Sequence, residues 1–200
     1  MKARPGFILA VTGVLLALAA SASAQAVNKK APEPGNKPIE TFTGFGVNVT
    51  TGQSAVVEIV INRWSTDGER DLLKNVLKAS GSQEAVRIMQ DLPQVGYIKG
   101  AETMGDALFY ARSTDMPDGS RQIVIATNRP ISAAASLSPG AANQYDATVI
   151  EMRFAKGAKK GEGKIVVAGK ASIDPATGKL KITNYSGEPT TLENITTKTP

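Results

Sequence analysis

The chain has 200 residues, of which 42% are hydrophobic and 20% are charged. This composition is that of a folded globular domain and excludes a disordered tail or a charged coiled coil. Cysteine and histidine are both absent, which excludes disulfides, thiolate or imidazole metal sites, and mechanisms that need a histidine base or a cysteine nucleophile. The sequence therefore predicts a domain held together by packing, with no catalytic residue, no metal site and no cofactor.

The first 24 residues have the pattern of a secretory signal peptide. Lys2 and Arg4 precede an apolar run over 7–20, and Ala22-Ser23-Ala24 supplies a small-x-small cleavage pattern. The run is shorter than the ~20 residues that cross a bilayer, so we expect no transmembrane segment after cleavage. The alternative is a retained N-terminal anchor. The prediction is a secreted or periplasmic protein.

The formal charge of +5 is a weak argument for nucleic-acid binding. Two of the 23 basic residues, Lys2 and Arg4, belong to the export signal, and the remaining lysine cluster lies on a glycine turn without aromatic residues. We expect no nucleic-acid partner.

Residues 25–39 are predicted to form a disordered linker. The segment contains three prolines and three lysines but few aliphatic side chains. A single antiparallel β domain is then expected over 40–200.

Two strands open this domain. From residue 41 the pattern has period two, with Phe45, Val47 and Val49 on one face. A short turn leads to the run 55–64, the strongest strand pattern in the chain. Together the two runs predict a hairpin.

A helix pair is predicted at 66–92. Thr66 and Glu69 have the spacing of a capping box, and apolar residues at helical spacing follow them. Ser82 is expected to cap the second helix, which ends before Pro93.

The remainder of the chain returns to short strands separated by turns. The predicted strands are 95–99, 107–112, 121–127, 145–154, 164–173 and 179–185, with a last edge strand around Leu192 and Ile195. This pattern predicts a mainly β (α+β) fold, an antiparallel β-barrel or β-sandwich of eight to nine short strands with an inserted helix hairpin. The helix pair would cover one open end or one face, because its apolar stripe needs a partner.

Two carboxylates in mid-strand could carry acid–base chemistry. Glu58 and Glu151 would suit a glycoside hydrolase only if they lay ~5–9 Å apart across a barrel. Charged residues on strands are more often a solvated face. A carboxylate-dependent hydrolase is therefore the least favoured function.

Three residues are candidates for ligand binding. Trp64 closes the strongest strand, and Tyr110 and Arg112 share one face of theirs. Aromatic rings with a guanidinium at a cavity mouth suit an amphipathic ligand that carries an anionic group. The alternative is that the rings fill the core and the arginines cap it.

Four stretches of the sequence stand out together: 63–65 (Arg-Trp-Ser), 121–130 (RQIVIATNRP), 151–153 (Glu-Met-Arg) and 161–164 (Gly-Glu-Gly-Lys). They resemble an uncharacterised family of secreted bacterial proteins with no assigned activity. The resemblance implies a bacterial exported protein and brings no functional residues with it.

These observations lead to one functional hypothesis and one alternative. The first is an exported, non-enzymatic β domain that binds a small amphipathic molecule in a barrel-like cavity. The alternative is an envelope-associated protein-interaction module that works through its surface.

Overall fold

The structure, a computed structural model, describes residues 37–101, 105–129, 131, 147–174, 180–185 and 190–200. The predicted signal peptide at 1–24 and nearly all of the predicted linker at 25–39 lie outside the described residues.

The described chain is mostly antiparallel β with two helices, which confirms the predicted fold class and its inserted helix hairpin. The strands are β1 Glu40–Val47, β2 Ser54–Ile61, β3 Gly96–Gly100, β4 Asp106–Leu108, β5 Tyr110–Asp115, β6 Arg121–Thr127, β7 Ala147–Phe154, β8 Gly161–Ile173, β9 Leu180–Tyr185 and β10 Thr190–Lys198. The helices are α1 Asp67–Ala79 and α2 Ser82–Met89. The strand order is β4-β3-β2-β1-β10-β8-β7-β6-β5, and β9 pairs with the distal part of β8.

The sheet curls into a nearly closed barrel because one stretch of chain pairs with both of its edges. β4 pairs with β3, and β5, which begins two residues after β4 ends, pairs with β6. Between them, the Phe109 N–H donates to the carbonyl of Ala126 at 3.2 Å. The single strand predicted over 107–112 is thus divided at Phe109, so the sheet has more strands than predicted.

Side chains fill the interior of the barrel. Along β6, Ile123 and Ile125 are fully buried in this interior, whereas Val124 points to the opposite face and packs in a second cluster outside it. Other members of the inner cluster are Phe42, Ile59, Ile61, Ile98, Leu108, Ile150, Met152, Phe154, Ile165 and Ile195. The inside of the barrel is therefore a packed core, as expected for a small barrel.

The alternation predicted for β1 is present, but its interior face is the row with fewer apolar side chains. Phe42 is buried and belongs to the inner cluster, whereas Phe45 is 49% exposed. Gly44 lies on the buried row, where an added Cβ would approach the Glu193 carbonyl oxygen to 3.0 Å and Cγ1 of Ile195 to 3.1 Å. Glycine here lets β10 approach closely, and the apolar row that includes Phe45 faces outward.

The two helices begin differently. At α1 the predicted capping box is confirmed: the Glu69 N–H donates to Thr66 Oγ1 at 3.2 Å, and the Thr66 N–H donates to Glu69 Oε2 at 2.7 Å. At α2 the prediction that Ser82 is the cap is wrong. Gly81 occupies the cap position and Ser82 is the first helical residue, with no side-chain cap. Gly81 has φ +81°, a left-handed conformation that favours glycine over serine.

The helix hairpin packs against the outer face of the sheet. Leu73 of α1 and Met89 of α2 form a second buried cluster with Phe109, Ala126 and Val149. The hairpin thus covers a face of the barrel rather than its open end. In the described part of the chain, neither helix is long and apolar enough to cross a membrane.

Candidate functional site: a cavity beneath the helix hairpin

A cavity of about 410 Å³ lies between the helix hairpin and the outer face of β5–β8. Its walls are mainly apolar and come from both layers: Leu73, Leu77, Val86 and Met89 from the helices, Val149 and Ile173 from the strands. Pockets for small molecules have volumes of about 300–1,000 Å³ and mostly apolar linings with a few polar groups. The size and lining of this cavity place it at the lower end of that class.

The cavity exists because the sheet presents small side chains to the helices. Ala126, Ala147 and Ala171 all line it, on three different strands. The helices pack on Ala126 and Val149, and Ala147 and Ala171 contribute only a methyl group each to the cavity wall. A sheet face rich in alanine opposite a packed helix pair thus produces an apolar cavity without a gap in the barrel core.

Charged side chains form one side of the cavity, close to solvent. Arg112 pairs with Asp67 at 2.7 Å, and Arg70 pairs with Asp67 at 3.1 Å and with Asp71 at 2.8 Å. Lys74 also lines the cavity and makes no salt bridge within 4 Å to any described residue. The three cations outnumber the two carboxylates, so this rim carries a positive balance.

Tyr110 contributes a neutral hydroxyl to the same region. Burial raises the pKa of Tyr110 above its ordinary value, although the nearby Arg112 and Arg70 guanidinium groups act in the opposite direction. The phenol therefore stays protonated at neutral pH and is available as a hydrogen-bond donor.

Two of the three predicted ligand-binding residues meet in this cavity. Tyr110 and Arg112 both line it, from alternate positions of β5. Trp64 does not: it packs against the inner cluster, with the Arg121 guanidinium 5.7 Å from the centre of its ring. The surroundings of Trp64 match the alternative interpretation, in which the ring packs on the core and an arginine covers it. Arg70 and Lys74 were missed because they look like solvated helix positions in the sequence.

A buried ion pair closes the barrel beside Trp64. Arg121 donates to both carboxylate oxygens of Glu40 at 2.6 Å and to Ser113 Oγ at 2.7 Å, and its guanidinium lies 6.0 Å from the centre of the Phe42 ring. Burial raises the pKa of Glu40, but hydrogen bonds from Arg121 and Thr197 outweigh it and hold that pKa below its ordinary value. These hydrogen bonds connect side chains from four strands, β1, β5, β6 and β10.

The structure does not bring Glu58 and Glu151 together. Glu58 pairs with Lys99 at 2.9 Å, and Glu151 accepts from Gln122 at 2.6 Å and lies 3.4 Å from Lys164. β2 and β7 are four strand spacings apart in the sheet, about 19 Å along its surface. The expectation that these two carboxylates could act as a pair is therefore corrected: each belongs to a separate cross-strand pair on the outer face.

In the part of the chain that the structure describes, no group of three or more acidic side chains is arranged to hold a metal ion. No known protein family, no curated protein and no solved structure matches this chain.

Proposed function

We propose that this protein binds a small amphipathic molecule in the cavity between its helix hairpin and its sheet. The observation that carries the proposal is the apolar cavity of about 410 Å³ with cations along one side. The sequence suggested a binding site inside the barrel. The proposed binding site lies outside the barrel, because the side chains of the inner cluster occupy the interior.

The apolar walls of the cavity would contribute to ligand affinity by burying apolar surface, without directional polar contacts. Each methylene group that leaves water for an apolar surrounding contributes about 0.8 kcal/mol. A ligand chain of several methylenes, enclosed by Leu77, Val86 and Val149, would therefore gain several kcal/mol from contact with the cavity walls.

The base of the hairpin is fixed by Arg63. Its guanidinium donates to the Glu69 carboxylate at 3.0 and 2.8 Å and to the Pro93 carbonyl at 2.6 Å, so one side chain joins the start and the end of the helix pair. The tip, at residues 79–82, includes the exposed Ala79 and Ser80. This arrangement fixes the base of the hairpin over the sheet, so that the helices keep their place as one wall of the cavity.

A cavity-filling substitution tests the proposal. Ala147→Phe would place a ring in the cavity, whereas Ala158→Phe adds the same ring to an exposed turn. Native mass spectrometry and fluorescence of anilinonaphthalene sulfonate should show a ligand bound to the wild type and to Ala158→Phe, with binding reduced at least about tenfold in Ala147→Phe. Circular dichroism would confirm that all three proteins fold alike.

The result also separates the cavity from the alternative, an envelope-associated interaction module. Phe45 and Val56, which are paired across β1 and β2 and both exposed, form an apolar surface feature that such a module would use. Phe45→Ser should leave probe binding unchanged if the cavity is the site. Equal binding by Ala147→Phe and wild type, with loss in Phe45→Ser, would overturn the cavity proposal in favour of the surface.

A further inference from the structure

We infer that the cavity selects anionic amphiphiles, and that the ligand's anionic headgroup takes the position beside Arg112 that Asp67 occupies in the structure described here. The ligand class is a carboxylate or a similar anion on a medium-length alkyl chain. This inference rests on the proposed function and adds a headgroup site to it.

The Arg112–Asp67 pair joins a fixed group to an exchangeable one. Arg112 projects from the middle of β5, within the sheet, and its side chain is 28% exposed. Asp67 is the first residue of α1, and its side chain is 72% exposed. If the pair separates, the exposed Asp67 carboxylate can turn into solvent, whereas Arg112 remains at the cavity and can pair with another anion.

The surrounding charges favour that exchange. Arg70 keeps a second partner, because its Nε donates to Asp71 at 2.8 Å. When the Asp67 carboxylate turns away, Arg112 loses its one salt bridge to a described residue, and Lys74 lines the same cavity. An anionic headgroup would therefore restore the original balance of charge, whereas a neutral headgroup would leave the Arg112 guanidinium without an ionic partner.

The positions of the charged and apolar residues also determine how the ligand would be oriented in the cavity. Asp67 and Arg70 lie in the first turn of α1 with Arg112 paired to Asp67, and the apolar walls include Met89 of α2 and Val149 of β7. The headgroup would lie at the rim, beside the Tyr110 hydroxyl, and the alkyl chain would run inward between helices and sheet. Asp67 is then a built-in competitor for the headgroup site.

Calorimetric titration with decanoate and decanol tests the inference, since the two probes share a chain and differ in headgroup charge. Arg112→Gln should weaken decanoate binding about tenfold, the loss expected for one charge-assisted hydrogen bond, and leave decanol binding unchanged. Asp67→Asn should tighten decanoate binding severalfold, because the competitor is removed.

Two matched variants control for charge and for helix stability. Arg87→Gln removes an arginine from the exposed side of α2, and Glu84→Gln removes an acid from the first turn of that helix, as Asp67→Asn does for α1. Neither residue lines the cavity, so both variants should bind decanoate as the wild type does.

The outcomes distinguish the two claims. If wild type binds neither probe, both the proposed function and this inference fail. If it binds both probes equally and Arg112→Gln changes neither affinity, the inference is overturned while the cavity remains a binding site. Weaker decanoate binding by Asp67→Asn than by Glu84→Gln would show that Asp67 supports the ligand rather than competing with it, which also overturns the inference.

Discussion

Glu40 and Arg121 form a salt bridge in which the carboxylate is buried. The Glu40 side chain is only 6% exposed, and the Arg121 fork, together with the Thr197 hydroxyl at 2.7 Å, satisfies its oxygens. A buried ion pair contributes little net stability, but removing one partner leaves the other charge without compensation. Removing one partner therefore lowers the free energy of unfolding by more than the intact pair contributes to it.

Glu40→Gln should lower the free energy of unfolding at neutral pH by about 3 kcal/mol. The reason is that the half-buried Arg121 guanidinium would remain beside the Phe42 and Trp64 rings without its carboxylate partner. Urea denaturation would measure the change. Glu58→Gln, at an outward pair with Lys99, is the control and should cost less than about 1 kcal/mol.

The pH dependence gives the same prediction a second check. Because the pKa of Glu40 is held below its ordinary value of 4.5 in the folded protein, its contribution is fully present above that pH. The contribution is lost as the pH falls through the lowered folded value. The stability difference between wild type and Glu40→Gln should thus shrink on acidification; a difference that stayed constant would contradict this account.

At the scale of the elements, the two helix starts offer a direct comparison. α1 has a reciprocal capping box between Thr66 and Glu69, and Glu69 is held in place by Arg63. α2 starts at Gly81 and Ser82 without a side-chain cap. Although a sequence pattern suggested caps for both helices, only α1 gains stability from one.

Thr66→Ala should therefore destabilise the protein by about 1 kcal/mol, the usual cost of losing an N-cap. Ser82→Ala should change the free energy of unfolding by only a few tenths of a kcal/mol, because the Ser82 side chain is not the N-cap of α2. Urea denaturation of both variants measures the difference. Equal losses at the two positions would show that Ser82 contributes an interaction comparable to the α1 cap.

At the scale of the whole molecule, the two packed clusters are unequal. The inner cluster draws side chains from strands around the barrel, several of them fully buried. The outer cluster is smaller, α1 buries only Leu73 among its residues, and the cavity lies beneath the hairpin. Helices with few buried contacts are expected to open locally before the main core does.

Hydrogen exchange should resolve this difference. Amides of α1 and α2 should open with a free energy at least about 2 kcal/mol lower than amides of β6 and β7. Addition of an anionic amphiphile should slow exchange in the helices more than in the barrel. Uniform protection across both parts would show that hairpin and barrel open as one unit.

The sequence predicted the elements better than their faces and contacts. Period two identified the strands, and the Thr66–Glu69 spacing identified the α1 cap, because both signals are local. The inward face of β1 depends on Gly44 meeting Ile195 from the far end of the chain, which no local pattern shows. The pairing of Tyr110 and Arg112 was predictable from one strand. The contributions of Arg70 and Lys74 depend on how the hairpin packs on the sheet.

The pairing of β1 with β10 has a consequence for how the protein is made. Glu40 and Thr197 are 157 residues apart in the chain, yet their side chains are hydrogen-bonded. One edge of β1 therefore has no strand to pair with until β10, about 150 residues later in the chain, has been synthesised. Until then its backbone is open to misassociation with other nascent chains.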